Sequence, residues 1–428
     1  VILVYGGNAH LGALHAMNRE VPQRRGRGES DVIPQIARVS LTFTMLATAI
    51  VAAVLFALGL SPWFDAVTAG ALRLLALVLL AQQLYQFFHF WFRADEKFAL
   101  LSKVLIFATV LELAVTLALV RVLGFDGIFY GFLLSSLAAV LICFVAVPPH
   151  LRRPHFDFSL IPGLIRAGFP IMIIGLSYSL MTTLDRLLII NFLGEEQLGY
   201  YALGTLALTA MAYIPTAINQ VLYPKMGERF GATAQAETLA PLVEKPTLVT
   251  AGVMAAVLGL AYLALPLTPL LLPQYTEGIP TARILFAGFY FLGLVGGSAN
   301  LLITINRQTQ YLTSLLLAIG LGLLLNAIAL MLRLGIEGIA ATTGVMYLVY
   351  AFGMISFTAQ RYLQRDTMHM LGFGAKLLLP FLAAALLIFI ATHLALPNLI
   401  LTIALRLAFF ALLYFAPGFF LLHRELKR

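Results

Sequence analysis

The stretch "IARVSLTFTMLATAIVAAVLFALGL" at residues 36–60 decides the fold. Past Arg38 it carries no charge, and it ends at the turn "SPWFD" (61–65). A helix of roughly 20 apolar residues crosses the hydrocarbon core of a bilayer. Runs of the same kind recur at approximately 1–18, 68–92, 99–122, 127–147, 164–191, 198–222, 246–265, 281–304, 309–332, 337–358, 374–394 and 398–421. With 36–60 they make thirteen expected spans. They are continuous rather than alternating with period two, which excludes a β-barrel. The fold class is therefore all-α, a polytopic membrane bundle. The run "PLTPLLLPQYTEGIP" (266–280) is a proline-broken apolar connection, expected at the interface or dipping into the membrane.

Composition agrees. The 428 residues are 61% hydrophobic and 11% charged, with mean hydropathy +0.95, whereas ordinary globular domains carry roughly 25% charged residues. That balance excludes disorder, a secreted disulfide scaffold and a soluble enzyme. A single cysteine, Cys143, excludes an intramolecular disulfide and any CxxC motif. The sequence holds no GxxxxGK[ST] loop, so the chain does not itself use ATP. It shows no catalytic triad, metal cluster or cofactor motif, and its dispersed basic residues form no nucleic-acid-binding face.

Alternating the loops between the two sides places Arg73, Arg121, Arg186, Arg283, Arg333 and Arg406 toward one side and the other 21 of the 27 Lys and Arg toward the opposite side. The richer side is cytoplasmic by the positive-inside rule. This layout puts Val1 outside and already within an apolar run, so a preceding span is expected, giving fourteen.

Two segments repeat. "LGFDGIFYG" (123–131) and "LGIEGIAAT" (334–342) share Leu-Gly-x-acid-Gly-Ile at an offset of 211 residues. "HAMNREVPQRRGRG" (15–28) and "AINQVLYPKMGERFG" (217–231) each end a span with Asn, then Pro, basic residues and Gly. Both offsets correspond to six spans, which relates the halves as parallel repeats, a transporter architecture with its site between the halves. The expected domains are a first lobe at 1–150, a second at 151–363, and two additional helices at 364–428.

Ionisable groups within spans are functional candidates. Only two acids lie there, Glu112 and Asp185. Glu112, with Thr109 and Thr116 on its face, sits on the order of 15 Å from either end of its span. It reads either as a proton carrier or as a structural Glu bonded to a neighbouring helix. Arg186 shares a face with Thr182, Ser179, Gly175 and Gly168; Asn8, Gly12, His15 and Arg19 form a second stripe; Thr205, Thr209, Thr216 and Asn219 a third. Such stripes are either packing faces or walls of a hydrated cavity. As a cavity, with Arg19 at the inner mouth and Arg73 and Arg186 nearer the outer one, they suit an anionic headgroup, which Arg binds in a bidentate manner.

At "TTLDRLLIINFLGEEQLGYYALGTLALTAMAYIPTAINQVLYPKMGERFG" (182–231) and "GALHAMNREVP" (12–22) the chain resembles the polysaccharide-biosynthesis flippases, the Wzx-type exporters of the multidrug/oligosaccharidyl-lipid/polysaccharide superfamily. The second segment resembles that family's second helix, consistent with an absent first one. The resemblance implies two lobes that alternate between inward- and outward-open states in the bacterial inner membrane. Its implied substrate is an oligosaccharide on polyprenyl pyrophosphate, with H⁺ or Na⁺ as coupling ion and no other cofactor. Implied partners are membrane lipids, a polysaccharide polymerase and chain-length machinery. On this reading Arg186, Arg73 and Arg19 meet the pyrophosphate or acidic sugars, Asn8, His15 and Asn219 bond sugar hydroxyls, and Glu112 or Asp185 binds the coupling ion. Pro170 and Pro215 are hinge candidates, though Pro215 equally suits a static kink. Within the superfamily the alternatives are a lipid II-type flippase and a cation-coupled drug exporter. An integral-membrane glycosyltransferase or O-antigen polymerase is the alternative of another class, disfavoured by the short outer loops.

Overall fold

The computed structural model describes residues 6–148, 151 and 155–427, with side chains described as far as residue 415. Fifteen helices carry the architecture: α1 (Ala13–Gly26), α2 (Ile33–Leu58), α3 (Ala66–Ala94), α4 (Phe98–Leu123), α5 (Asp126–Ala146), α6 (Ile161–Met181), α7 (Leu184–Phe192), α8 (Glu195–Thr233), α9 (Ala240–Ala264), α10 (Ile279–Gly293), α11 (Gly296–Thr304), α12 (Gln308–Met331), α13 (Gly335–Tyr362), α14 (Thr367–Thr392) and α15 (Leu399–Lys427). Each expected span from 36–60 onward has its helix. Among the described residues eleven helical segments are long and apolar enough to cross a membrane, with a shorter apolar helix at Leu399–Phe415.

Local chemistry sets the ends. Asp65 caps α3 by accepting hydrogen bonds from the Val67 and Thr68 amides at 3.1 and 3.3 Å. Asp366 does the same for α14 through His369 N–H at 2.8 Å. The repeated Leu-Gly frame has a structural counterpart: Gly124 and Gly335, 211 positions apart, take positive φ of 59° and 64° at the entries to α5 and α13.

Three boundaries differ from the sequence expectation. Within the apolar run at 1–18 residues 7–12 form turns, with Leu11 and Gly12 at φ 49° and 89°, and the helix that follows begins at Ala13. The run 164–191 is two helices. Thr182 and Thr183 hydroxyls bond back to the carbonyls of Tyr178, Ser179 and Leu180 and compete with the helix at the break. The run 281–304 divides at residues 294–295, beside Gly293, Gly296 and Gly297, where helix propensity is weak.

The chain forms two compact units. The first comprises residues 1–173 with 227–234. Its core joins α1, α2, α3 and α5 through Leu14, Met17, Val21, Val39, Phe87, Phe92 and Cys143. The last turns of α8 belong to it and meet α1 reciprocally. A Cβ on Gly26 would lie 1.9 Å from Glu228 O, and one on Gly231 would lie 2.1 Å from Gln23 O. The second unit comprises residues 174–226 and 235–428. There α10 packs on α13, and α9 on α14 and α15, around Met254, Phe286, Tyr290, Met354 and Phe410. Gly288 and Gly344 let α10 and α13 touch backbone to backbone, since a Cβ on Gly288 would sit 2.5 Å from Gly344 Cα.

Candidate functional site

In the second unit the α6–α7 break delivers an acid and a base side by side. Asp185 lies in the first turn of α7 and is buried. Its Oδ2 accepts the Tyr201 hydroxyl at 2.5 Å and its Oδ1 accepts the Arg186 amide at 2.8 Å. Tyr201, entirely buried, is supplied by the second turn of α8. Tyr347 of α13 stands within electrostatic reach of both Asp185 and Arg186.

Arg186 points differently. Its side chain is 42% exposed, and its Nε lies 3.9 Å from Asp185 Oδ1, too far for a hydrogen bond. Nη2 donates to Thr182 O at 2.8 Å, satisfying a carbonyl freed by the break. Nε has no hydrogen-bond partner among the described residues. The arrangement is a guanidinium anchored at Nη2 and biased by a buried carboxyl, with Nε shielded from solvent and the Nη groups left for an acceptor from outside. Phosphate oxygens match that fork. Gly175 and Ser179, on the same side of α6, are exposed as well.

The other expected residues of this unit lie elsewhere. Asn219 is 18 positions beyond Tyr201 on α8, roughly 27 Å along the axis. It accepts from Asn300 Nδ2 at 3.2 Å, and a Cβ on Gly296 would fall 1.8 Å from Asn219 Nδ2. Asn219 thus joins α8 to the second helix break. Thr205, Thr209 and Thr216 turn their hydroxyls onto carbonyls three or four residues back in their own helix.

In the first unit a second polar cluster forms between α1 and α3. The rings of His10 and His15 lie 5.5 Å apart, and His15 meets Phe90 edge-on at 5.1 Å. Arg93 lies 5.0 Å over the Phe90 ring and donates from Nε to Asn18 Oδ1 at 3.1 Å. His89 is edge-on to the same Phe90 at 6.2 Å. Sequence reasoning found His15 here but not His10, His89 or Arg93. The signal was present, because His89 and Arg93 are i and i+4 on one helix face. Arg19 is buried and bridges Glu20 at 2.5 Å. Asn8 lies in the turn before α1, where its carbonyl accepts Leu11 N–H at 3.0 Å. Gly12 of the same stripe is a packing point: its Cβ would lie 2.3 Å from the Gly168 carbonyl carbon.

Arg73 is exposed and donates to Ala69 O at 3.2 Å. It lies 20 positions before Arg93 on α3, about 30 Å away along the helix. Glu112 is partly buried on α4, within electrostatic reach of Tyr85, and its neighbour Thr116 packs on Gly131 of α5. The structure therefore joins Asp185 to Arg186, and gathers His15 with His10 and Arg93. Arg73 and Glu112 stand apart from these clusters within their unit. Among the described residues no three His, Cys, Asp or Glu side chains converge as metal ligands would.

Fold and composition together define a multi-pass helical membrane protein with the fold of the MATE transporters. A mutant of the Vibrio cholerae MATE transporter VcmN is similar at TM-score 0.73 and 17% identity, over 86% of this chain and 87% of that one. An outward-facing multidrug resistance MATE transporter of the MOP superfamily is similar at TM-score 0.73 and 15% identity, over 83% and 84%. A MOP superfamily transporter from Pyrococcus furiosus, described as having a binding pocket of reversed polarity, is similar at TM-score 0.66 and 16% identity, over 85% and 86%. No curated protein sequence matches the chain. Residues 31–279, more than half of the chain, match the family of polysaccharide biosynthesis proteins, and the chain belongs to that family.

Proposed function

We propose that this chain is a flippase that turns a polyprenyl-pyrophosphate-linked oligosaccharide across the bacterial inner membrane by alternating access, driven by H⁺ or Na⁺. The observation that carries the reading is Arg186, a half-exposed guanidinium at a helix break in the apolar part of a polysaccharide-biosynthesis protein. A cation there is costly unless an anion meets it. Asp185 is committed to Tyr201 and to the Arg186 amide, so it steadies the guanidinium without occupying it. Pyrophosphate oxygens then take the remaining Arg186 Nη donors, and Arg73, exposed in the first unit, is the cation candidate of that unit. Of the polar groups in the first unit, His15 and Asn8 are assigned to the sugar hydroxyls. Arg19, buried on Glu20, acts on substrate only if that bridge opens. Glu112 is the carboxyl available to a coupling ion, and Asp185 takes that role only when its bond to Tyr201 opens. The product is handed to a polysaccharide polymerase and its chain-length machinery.

The test is restoration of surface polysaccharide in a bacterium lacking its own flippase, with variants matched for membrane expression. Arg186→Ala abolishes restoration and Arg186→Lys recovers only part of it, because Lys lacks the fork. Glu112→Gln or Asp185→Asn, each at unchanged protein level, uncouples transport from the ion gradient. A well-expressed parent that restores nothing with several glycan donors overturns the flippase reading. Restoration indifferent to Arg186→Ala overturns the site.

A further inference from the structure

The second unit carries a groove that the proposed transport site does not use. Its volume is about 460 Å³, within the range of roughly 300–1,000 Å³ typical of ligand pockets. It runs between α12 and α13, with Thr313, Ser314 and Leu317 on one wall and Val349, Gly353 and Phe357 on the other. Leu317, Val349, Gly353 and Phe357 are exposed, so the groove opens to the outside of its unit. From Gln310 at one end to Leu321 at the other it follows eleven residues of α12, about 16 Å. That is half of a hydrocarbon core about 30 Å thick, the depth of one leaflet.

The two ends differ. Toward Leu321 the lining is Leu317, Ala318, Leu321 and Val349, with one tyrosine, Tyr350, among them. At the other end Gln310 bonds the Tyr362 hydroxyl, and Phe357 meets the Tyr362 ring edge-on at 6.0 Å. The exposed Arg307 places its guanidinium 6.0 Å over that same ring rather than on a carboxylate. This is the end rich in basic residues, with Arg307, Arg361 and Arg365 close in sequence to α12 and α13 termini, the cytoplasmic side by charge. An apolar slot one leaflet deep, topped by an arginine at the cytoplasmic interface, has the chemistry that recognises anionic lipid heads.

We propose that this groove is a binding site for one anionic phospholipid of the cytoplasmic leaflet, with an acyl chain along Leu317, Val349 and Phe357 and the phosphate on Arg307. The inference does not depend on what the chain transports.

The purified chain is exchanged into mixed micelles of phosphatidylglycerol and phosphatidylcholine, and retained lipids are counted by native mass spectrometry. The parent retains one phosphatidylglycerol in preference to phosphatidylcholine. Arg307→Ala lowers that preference about fivefold, and Arg307→Lys keeps most of it. A Cβ on Gly353 would meet no atom within 4 Å, so Gly353→Leu fills the groove without forcing the helices apart and loses the retained lipid of either kind. Thr313→Leu, which narrows the mouth, gives a second groove-filling variant, and thermal melts confirm that each is folded. Equal retention of the two lipids by the parent refutes the headgroup assignment. Undiminished retention in folded Gly353→Leu and Thr313→Leu refutes the groove.

Discussion

Replacing Tyr201 by Phe keeps the ring and removes the hydroxyl that donates to Asp185 Oδ2 at 2.5 Å. Tyr201 is 0% exposed and Asp185 4%, so water does not take the lost donor's place. The size of the effect depends on the charge of the acceptor. Hydrogen bonds between helices inside membranes average about 0.6 kcal/mol, whereas bonds to charged groups contribute about 1.5–3 kcal/mol. Asp185 Oδ1 accepts from a backbone N–H, which can only donate, while Oδ2 accepts from Tyr201 and the Arg186 guanidinium lies 3.9 Å away. If the carboxyl is ionised, these partners make the Tyr201 bond a charge-assisted one. A double-mutant cycle of Tyr201→Phe with Asp185→Ala isolates the pair. The four proteins are unfolded in mixed SDS micelles, and the expected coupling is at least about 1.5 kcal/mol, a tenfold change in the equilibrium constant. A coupling of about 0.6 kcal/mol or less, the neutral value, refutes the ionised pair and with it the electrostatic bias on Arg186.

Two glycines of the small-residue stripes should respond with opposite signs. Gly12→Ala combines a left-handed backbone, costing about 1–2 kcal/mol, with a Cβ 2.3 Å from the Gly168 carbonyl carbon, which adds an overpacking cost of about 1–3 kcal/mol; the thermal midpoint falls. Gly175→Ala meets nothing within 4 Å and gains up to about 1 kcal/mol of helix propensity, so its midpoint holds or rises. At the α3 cap, hydrogen bonds from Thr68 hold the Asp65 carboxyl below the usual carboxylate range. The cap therefore stabilises the helix start above the unfolded value of about 3.9 and is lost as pH falls through the lower folded value. Hydrogen exchange at Val67 and Thr68 should be slower than in Asp65→Ala at neutral pH and equal to it in strong acid. Arg365 holds Glu244 at 2.7 and 3.1 Å through two nitrogens; Arg365→Lys keeps the charge and loses the fork, so a loss of about 0.2–1 kcal/mol in chemical unfolding, smaller at high salt, is expected.

The spans were legible because continuous apolar runs and Gly, Pro and charged punctuation act locally, and the helices follow them. Asp185 and Arg186 were legible because a charged pair inside an apolar run has a cost that the sequence displays. Tyr201 was not, since a tyrosine at a helix start is unremarkable until α8 folds back and sets its hydroxyl on Asp185. The helix breaks were hidden for a related reason. Apolarity persists through Thr182–Thr183 and Leu294–Val295, and only hydroxyls competing for carbonyls, or glycines weakening the helix, mark the interruption. The stripes of small and polar residues left two readings open, packing face or cavity wall. Spacing cannot separate Gly12, pressed on Gly168, from Gly175, which meets nothing.

What separates the two helix breaks is how completely each satisfies itself. Irregular backbone at membrane depth persists only where protein or water meets its polar groups. At the α10–α11 break the surroundings do so internally. Asn219 accepts from Asn300 at 3.2 Å, Ser298 pairs with Thr358 at 2.9 Å, and Gly296 lets the Asn219 amide close on the backbone. Ser298 and Thr358 are both buried. Nothing in that joint calls for a ligand, so its polar residues are accounted for as packing. At the α6–α7 break the carboxyl is satisfied but the guanidinium beside it is not: Arg186 stays half-exposed, with no hydrogen bond from Nη1 and a buried Nε without a partner among the described residues. A chain stabilised by internal pairing alone would have closed this break as it closes the other. The surplus donors at Arg186 are therefore the reason to look for the anionic group there rather than at Asn219.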